Sequence, residues 1–188
     1  MELATEFLGQ VGAAADAIVV VAQKGTLGYS GVLERYADNR TVLSPQNEHE
    51  VRIGYGHPAL VYAPGLKQLE LATRYVQDRP IAVVEDPSFR CVRWAEEIGA
   101  FDLVELKIHS SARSAEHQRI LERIDRLGSD GWRDAPGKRE LRLCLHDLLR
   151  LGVLDKDEII AYRLVHGKRA LYESLTHLGD EIDRVQNR

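Results

Sequence analysis

Residues 17–31, AIVVVAQKGTLGYSG, decide the fold class of this chain. Six apolar residues come first, AIVVVA, and they do not alternate with polar ones. Such a continuous run is typical of a strand that is buried on both faces, as in a parallel sheet covered by helices. The lysine and glycines that follow mark the end of the strand. The stretch therefore predicts an α/β protein.

Four further apolar runs repeat this pattern within the first 110 residues. Segments with apolar residues at helical spacing lie between them, and another precedes the first run. Alternating strands and helices are typical of βαβ units. We therefore expect a Rossmann-like, three-layer α/β sandwich over 1–110, with a mainly parallel sheet of about five strands. The four runs are TVLS (41–44), ALVYA (59–63), IAVVE (81–85) and FDLVELKI (101–108).

Beyond residue 110 the apolar residues recur only at helical spacing. The third of four predicted helices has a well-defined start, because Asp155 is suited to cap it and Glu158 to reach back in a capping box. We expect an all-helical C-terminal region over 111–188, packed on the sheet or forming a small bundle. The four helical segments are 115–128, 138–152, 155–167 and 169–185.

Charge is distributed unevenly over the chain, whose formal net charge is −4. Residues 1–110 hold 10 lysines and arginines against 15 aspartates and glutamates, a net of −5. An acidic first part is unsuited to duplex DNA, because DNA binding depends on neutralising phosphates. Residues 111–188 hold 15 against 14, a net of +1, which is typical of helices with paired surface charges.

The cysteines and the N-terminal segment bear on where the protein resides. Cys91 and Cys144 lie in helical patterns without a CxxC motif, which favours reduced thiols in the core. The opening segment MELATEFLGQ has glutamates where a signal peptide has basic residues. No apolar run approaches the ~20 residues that span a bilayer. We expect a soluble, cytoplasmic protein with no membrane partner.

Polar residues and glycines follow each of the first four predicted strands. Ligands of open parallel sheets bind beyond the carboxyl ends of the strands. If these strands are parallel, the residues that follow them gather at one edge of the sheet. The sequence therefore predicts a ligand-binding site at that edge, formed by Lys24, Gly25, Thr26, Ser44, Gly65 and Glu85.

The segment QKGTLG (23–28) lacks the spacing of the specific phosphate-binding motifs. A P-loop requires GxxxxGK[ST] and a dinucleotide site requires GxGxxG, and the segment matches neither. Two interpretations stay open. In the first, backbone N–H groups near Gly25 and Gly28, together with the Lys24 charge, hold a small anion. In the second, the segment is a plain turn between strand and helix.

Glu85 and Asp86 are adjacent carboxylates that also have two interpretations. Asp86 followed by Pro87 is typical of a helix N-cap and the first helical residue, so capping is the favoured role for Asp86. Paired carboxylates can instead bind a metal or act as acid and base. The sequence indicates no capping role for Glu85.

The segment 45–57, PQNEHEVRIGYGH, is the longest non-helical connection in the first part of the chain. Loops of this length are often functional. Two interpretations are open for this segment: its histidines, arginine and tyrosine form an interaction surface, or the segment is a solvated loop. Because no histidine spacing typical of zinc occurs, no metal-ligand set is predicted.

The stretch FDLVELKIH (101–109) carries the most compact chemical signature. Alternate residues of a strand project from one face, so Glu105 and Lys107 are expected to lie together. An acidic residue followed by ExK on a strand resembles the active-site strand of the PD-(D/E)xK nuclease superfamily. The alternative is that these charges decorate an exposed edge strand.

That resemblance implies a metal-dependent nuclease. It implies that Glu105 and a second acid, which is Asp86, Glu85 or Asp102, bind a divalent cation. It also implies that Lys107 positions or activates the attacking water, while the metal stabilises phosphoryl charge.

The sequence contains no complete catalytic constellation. We therefore expect a non-catalytic module that binds a small, phosphorylated ligand or a protein partner at the carboxyl edge of the sheet. A nuclease that uses Glu105 and Lys107 is the first alternative. A DNA-binding regulator is the second, through the helical tail, where Lys168 and Arg169 follow Gly167. No cofactor is identified, and a homodimer is left open.

Overall fold

The computed structural model divides the chain into two compact units, Met1–Cys91 and Val92–Arg188, here named the α/β unit and the helical unit. Within the described residues, no helix has both the length and the apolar character needed to cross a bilayer. The residues that the structure describes are 1–87, 89–128, 132, 134–167 and 172–187.

The α/β unit is built on one parallel sheet of four strands. Its elements are α1 (Glu2–Gln10), β1 (Ile18–Val20), a 3₁₀ helix (Lys24–Tyr29), α2 (Gly31–Ala37), β2 (Val42–Leu43), β3 (Ala59–Tyr62), α3 (Leu66–Val76) and β4 (Ile81–Val84). The strand order is β2-β1-β3-β4, and all three pairings are parallel. The predicted α/β class is confirmed.

The central strand β1 is buried on both faces, as its unbroken apolar run predicts. Val19 lies opposite Val42 of β2 and Leu60 of β3. Its side chain joins an apolar cluster with α1 and α2, whereas Ile18 and Val20 join a separate cluster with α3. Because side chains alternate along a strand, the two clusters lie on opposite faces of the sheet. Residues of α1 and α2 thus pack in one of these clusters, and residues of α3 pack in the other.

Local signals define where the helices of the α/β unit begin. The Ser30 hydroxyl oxygen accepts a hydrogen bond of 3.3 Å from the Leu33 N–H at the start of α2. At the start of α3, the Gln68 side-chain oxygen accepts a 2.8 Å bond from the Gly65 N–H. Each bond satisfies a backbone donor that has no partner within its helix. The starts of both helices are thus encoded locally.

The helical unit contains five helices and a short antiparallel hairpin among its described residues. They are α4 (Val92–Ile98), β5 (Phe101–Asp102), β6 (Lys107–Ile108), α5 (Ala115–Leu127), α6 (Ala135–Arg150), α7 (Lys156–His166) and α8 (Tyr172–Gln186). The helical character predicted for the tail is confirmed in these ranges. The predicted start of the last helix, at residue 169, lies outside the described residues.

The boundary between the two units differs from the one expected at residue 110. Residues 92–110, expected as part of the α/β domain, belong to the helical unit. Helix α4 packs against α7, which accounts for this grouping.

The prediction that residues 101–108 form a fifth strand of the sheet is wrong. They form the β5–β6 hairpin, with Phe101 opposite Ile108 and Asp102 opposite Lys107. The Asp102 carboxylate accepts hydrogen bonds of 2.8 Å from the Val104 N–H and 2.9 Å from the Glu105 N–H. These bonds close a local turn, which competes with an extended strand.

The predicted N-cap at Asp86 is also wrong, since the next helix begins at Val92. Asp86 instead forms an isolated antiparallel bridge with Phe89. Ser88, which was predicted to lie in the helix, is outside the described residues. The Asp86–Pro87 pair therefore does not start a helix, because the backbone of Asp86 pairs with that of Phe89 instead.

The cap predicted at Asp155 is confirmed. Its carboxylate accepts hydrogen bonds of 2.9 Å from the Asp157 N–H and 3.1 Å from the Glu158 N–H. The Glu158 side chain forms an ion pair with Arg113 and lies 3.3 Å from His117 Nε2. The third predicted helix therefore starts where its cap indicates, whereas the Glu158 side chain, expected to reach back in a capping box, pairs with Arg113 instead.

The helical unit packs around one apolar cluster that joins four helices. Leu141, Leu145 and Leu148 of α6 are fully buried at its centre, together with Trp132 and Cys144. Burial raises the pKa of the Cys144 thiol, so this cysteine is an apolar core residue at neutral pH.

A buried ionic cluster connects α4, α5 and α7 beside this core. Arg113, only 8% exposed at its side chain, lies between Glu97 and Glu158, with its Nε 2.7 Å from a Glu158 oxygen. Glu97 also contacts His166 Nε2 at 2.6 Å. The His117 Nε2 atom lies 3.3 Å from Glu158, without hydrogen-bond geometry. Two buried carboxylates thus share one guanidinium.

Removing the shared guanidinium is expected to destabilise the helical unit strongly. Arg113→Ala leaves two glutamates buried without their counter-charge, which typically costs about 3 kcal/mol or more. Arg119→Ala is the matched control, because Arg119 is exposed on α5, and we expect a change within about 0.5 kcal/mol. Urea denaturation measures both variants, and equal losses would contradict this role of Arg113.

The stability that this cluster contributes depends on pH through the protonation of Glu97. Burial alone raises the pKa of the Glu97 carboxyl, but hydrogen bonds from Arg113 and His166, and their charges, outweigh burial and hold it below its ordinary value. A carboxyl with a lowered folded-state pKa stabilises the fold above its ordinary pKa, and this stabilisation is lost as pH falls through the lowered value.

Glu97→Gln is therefore expected to lower the free energy of unfolding at pH 7. The difference from the unaltered protein should narrow as pH falls from about 4.5, the ordinary pKa of a glutamate, through the lowered pKa of the native carboxyl, because the unfolded chain then binds a proton that the native state binds only at lower pH. Urea denaturation at several pH values measures this difference. A difference that stays constant down to pH 3 would refute the assignment.

Candidate functional site

The carboxyl ends of the four parallel strands share one edge of the α/β unit. Val20 of β1 lies opposite Val61 of β3, so the loops that leave these neighbouring strands start side by side. The connection from β1 leads to α2 on one face of the sheet, and the connection from β3 leads to α3 on the other face. In open α/β sheets, ligands commonly bind between two such diverging loops.

The segment 24–26 enters this edge as the start of the 3₁₀ helix. Lys24 and Gly25 are exposed, whereas Thr26 is buried and its N–H donates a 2.9 Å hydrogen bond to the Gln23 carbonyl. The Lys24 ammonium group has no hydrogen bond or ion pair to any residue that the structure describes. The positive charge of Lys24 is therefore available to a ligand in the segment that follows β1.

Ser44 and Gly65 reach the same edge but are engaged in local hydrogen bonds. The Ser44 hydroxyl and N–H both donate to the side-chain oxygen of Asn47, at 3.0 and 2.7 Å. The Gly65 N–H is held by Gln68. These two residues shape the loops after β2 and β3, and a ligand would have to displace these bonds to engage their donors.

The carboxylate of Glu85 follows β4 and has a structural role that the sequence did not indicate. It accepts a 2.6 Å hydrogen bond from the Cys91 N–H and lies 3.5 Å from an Arg90 guanidinium nitrogen. Burial, with a smaller effect of the Glu85 charge, raises the pKa of the Cys91 thiol to about 12. Cys91 is therefore a protonated thiol at neutral pH and no nucleophile.

A strained residue lies where β3 ends. Ala63 has a φ of +46°, a conformation that is uncommon for a residue with a side chain. Its N–H donates a 2.8 Å hydrogen bond to the Val84 carbonyl of β4, which holds it in place. Strained backbone of this kind clusters at functional sites. Alanine itself carries no turn signal that would predict this conformation.

Replacing Ala63 by glycine is expected to stabilise the α/β unit. A left-handed conformation costs a non-glycine residue about 1–2 kcal/mol, whereas glycine costs about 0.5–1 kcal/mol in flexibility. We expect Ala63→Gly to gain up to about 1 kcal/mol. Ala59→Gly, in the fully buried start of β3, is the control and should lose stability. Thermal unfolding measures both, and a loss for Ala63→Gly contradicts strain at this position.

The residues of the ExK signature lie in the hairpin of the helical unit rather than on a long strand. Glu105 is in the turn and Lys107 is in β6, so the alternation expected for a single strand does not hold. The two exposed side chains form an ion pair with each other. Asp102 is occupied by the turn hydrogen bonds and lies 3.7 Å from His109.

No group of three or more metal-ligating side chains comes together in the part of the chain that the structure describes. The signature therefore lacks the strand geometry on which its resemblance to nuclease active sites depends.

A small depression occurs at the opposite, amino edge of the sheet. It has a volume of about 160 Å³, and Asp16, Arg40 and His57 are among its lining residues. The Arg40 guanidinium donates to the carbonyls of Ala14 and Tyr36 and stacks on the Tyr36 ring. Arg40 therefore links the backbone at Ala14 to the backbone at Tyr36 within this depression.

Comparison of the chain with protein-family models, curated proteins and solved structures found no significant match. Function is therefore argued from the geometry of the chain itself.

Proposed function

We propose that the α/β unit binds a small phosphorylated ligand, without catalysis, at the carboxyl edge between β1 and β3. The observation that carries this proposal is the divergence of the two loops: neighbouring parallel strands send their connections to opposite faces of the sheet. Crevices of this origin are the usual ligand sites of open α/β sheets.

Charge at this edge favours an anion. Lys24 presents an exposed ammonium group after β1. The N-terminal end of α3, which begins at Leu66, directs backbone N–H groups and the positive end of a helix dipole to the edge. The acidic side chain after β4, Glu85, is already paired with a backbone donor and an arginine. The positive groups are therefore the ones left to meet a ligand.

The proposal assumes three layers in the α/β unit, with α1 and α2 on one side of the sheet and α3 on the other.

The nuclease and DNA-binding alternatives stay predictions, as does a cytoplasmic location. The geometry around Glu105 lends the nuclease no support, and Lys168 and Arg169 lie outside the described residues.

Lys24→Ala is expected to weaken phosphate binding about tenfold or more, because a bond to a charged group is worth roughly 1.5–3 kcal/mol. Isothermal titration with inorganic phosphate and with a sugar phosphate measures the dissociation constants. Arg79→Ala is the matched control, since it removes the same charge from an exposed residue just before β4, at the opposite edge of the sheet. We expect it to bind like the unaltered protein.

Two results would contradict the proposal. One is that neither phosphate compound binds the unaltered protein at millimolar concentration. The other is that Lys24→Ala and Arg79→Ala weaken binding equally, because the binding would then reflect net charge and not a site at the carboxyl edge.

A further inference from the structure

The connection from β2 to β3, residues 44–58, crosses the sheet without a helix. Because β1 lies between β2 and β3 in the sheet, this connection has to pass over one face of β1. It passes over the face that α3 also covers, since Val51 and Ile53 pack against the same apolar cluster as Ile18 of β1. We name residues 48–57 the strap. The strap therefore takes the place of the helix that ordinarily joins parallel strands.

Hydrogen bonds to Asn47 fix the point where the strap begins. The side-chain nitrogen of Asn47 donates to the Val42 carbonyl at 2.9 Å, and its side-chain oxygen accepts the two hydrogen bonds from Ser44. The Asn47 carbonyl accepts N–H bonds of 2.9 Å from Glu50 and 3.2 Å from Val51. Asn47 itself is buried, so the start of the strap is tied to β2.

The far end of the strap is held by α3. The N–H groups of Gly56 and His57 both donate to the Tyr75 carbonyl, at 2.8 and 3.3 Å. The Tyr55 ring stacks on the Tyr75 ring, with the two centroids 5.6 Å apart. Two backbone bonds and one ring contact therefore close this end.

One guanidinium joins the start of the strap to α3. Arg74 of α3 forms ion pairs with Glu70 of the same helix and with Glu48 of the strap. Its Nε also donates a 3.1 Å hydrogen bond to Glu70. The Glu70 side chain is 6% exposed and that of Glu48 19%, so solvent screens these pairs less than pairs on the open surface. Arg74 is thus a charged link between the helix and the strap.

Between its two anchored ends, the strap has few backbone hydrogen bonds. The N–H groups of residues 52–55 donate none to any residue that the structure describes. Arg52, Gly54 and Tyr55 are also exposed. Segments with solvated backbone and little buried surface open locally at a lower free energy than core strands.

We propose that the strap opens as a unit while the four-stranded sheet stays folded, with the ion pair between Arg74 and Glu48 as the latch that holds it closed. Opening breaks the contacts of the strap with Tyr75 and moves Ile53 away from its cluster. Ile53 and His57 also line the depression at the amino edge, so the strap forms one of its walls. Opening therefore enlarges this depression and controls access to it.

The strap is independent of the proposed phosphate site. Lys24 and the N-terminal end of α3 carry that site, whereas the strap rests on the C-terminal part of α3. Either proposal can therefore fail alone.

Hydrogen exchange of the full chain, resolved by residue with NMR, measures the opening. The Gly56 N–H, bonded to Tyr75, reports on the strap, and the Val19 N–H, bonded to Thr41, reports on the sheet. We expect the protection factor of Gly56 to be at least about tenfold lower than that of Val19, because only the strap opens locally. Equal protection factors would overturn the proposal, since the strap would then open only when the sheet unfolds.

Two glutamates of the strap test the latch. Glu48→Gln removes the charge that pairs with Arg74, and it should lower the protection factor of Gly56 about threefold or more. The protection factor of Val19 should not change. Glu50→Gln is the matched control, because it removes the same charge from an exposed residue of the strap, and we expect it to leave both protection factors unchanged. Equal losses in the two variants, or a Glu48→Gln loss shared by Gly56 and Val19, would overturn the latch.

Discussion

Burial of β1 on both faces is the constraint on which the α/β unit depends. A strand with Ile18 and Val20 on one side and Val19 on the other needs helices over both faces of its sheet. The connection from β1 to β2 carries α2, and the connection from β3 to β4 carries α3. The order β2-β1-β3-β4 follows from crossovers that leave β1 and β3 in opposite directions. The divergence of the loops after β1 and β3 is thus a consequence of how the core is covered.

The helical unit depends on a second constraint, which is electrostatic. Its apolar cluster is bordered by Glu97, Arg113 and Glu158, three charges that are nearly excluded from water. Such charges are tolerated only when every one is paired, so the arrangement specifies how α4, α5 and α7 meet. The exposed pair of Glu105 and Lys107 differs in kind, because solvent screens it and it adds little to stability.

Most of the secondary structure could be predicted from local patterns, and the errors share one cause. The strands Ile18–Val20, Ala59–Tyr62 and Ile81–Val84, and the cap at Asp155, follow from apolar runs and capping chemistry. The predictions failed over 101–108 and at Asp86. In both places an aspartate takes part in a tight turn with a residue two or three positions along the chain. An apolar run or an Asp-Pro pair does not reveal such a turn.

The sequence by itself determined the α/β class, the helical tail and the edge to which Lys24, Ser44, Gly65 and Glu85 belong, because periodicity and strand direction are local or follow from burial. Only the tertiary structure decided which of these groups remain available. Ser44, Gly65 and Glu85 are engaged by Asn47, Gln68 and Cys91, whereas Lys24 stays open. It also placed Glu105 in a turn and left the apolar side chains of Phe101, Val104, Leu106 and Ile108 exposed. The physical reason is that hydrogen-bond partners and solvent exposure depend on how the chain folds back on itself, which the pattern of residue types along the chain does not specify.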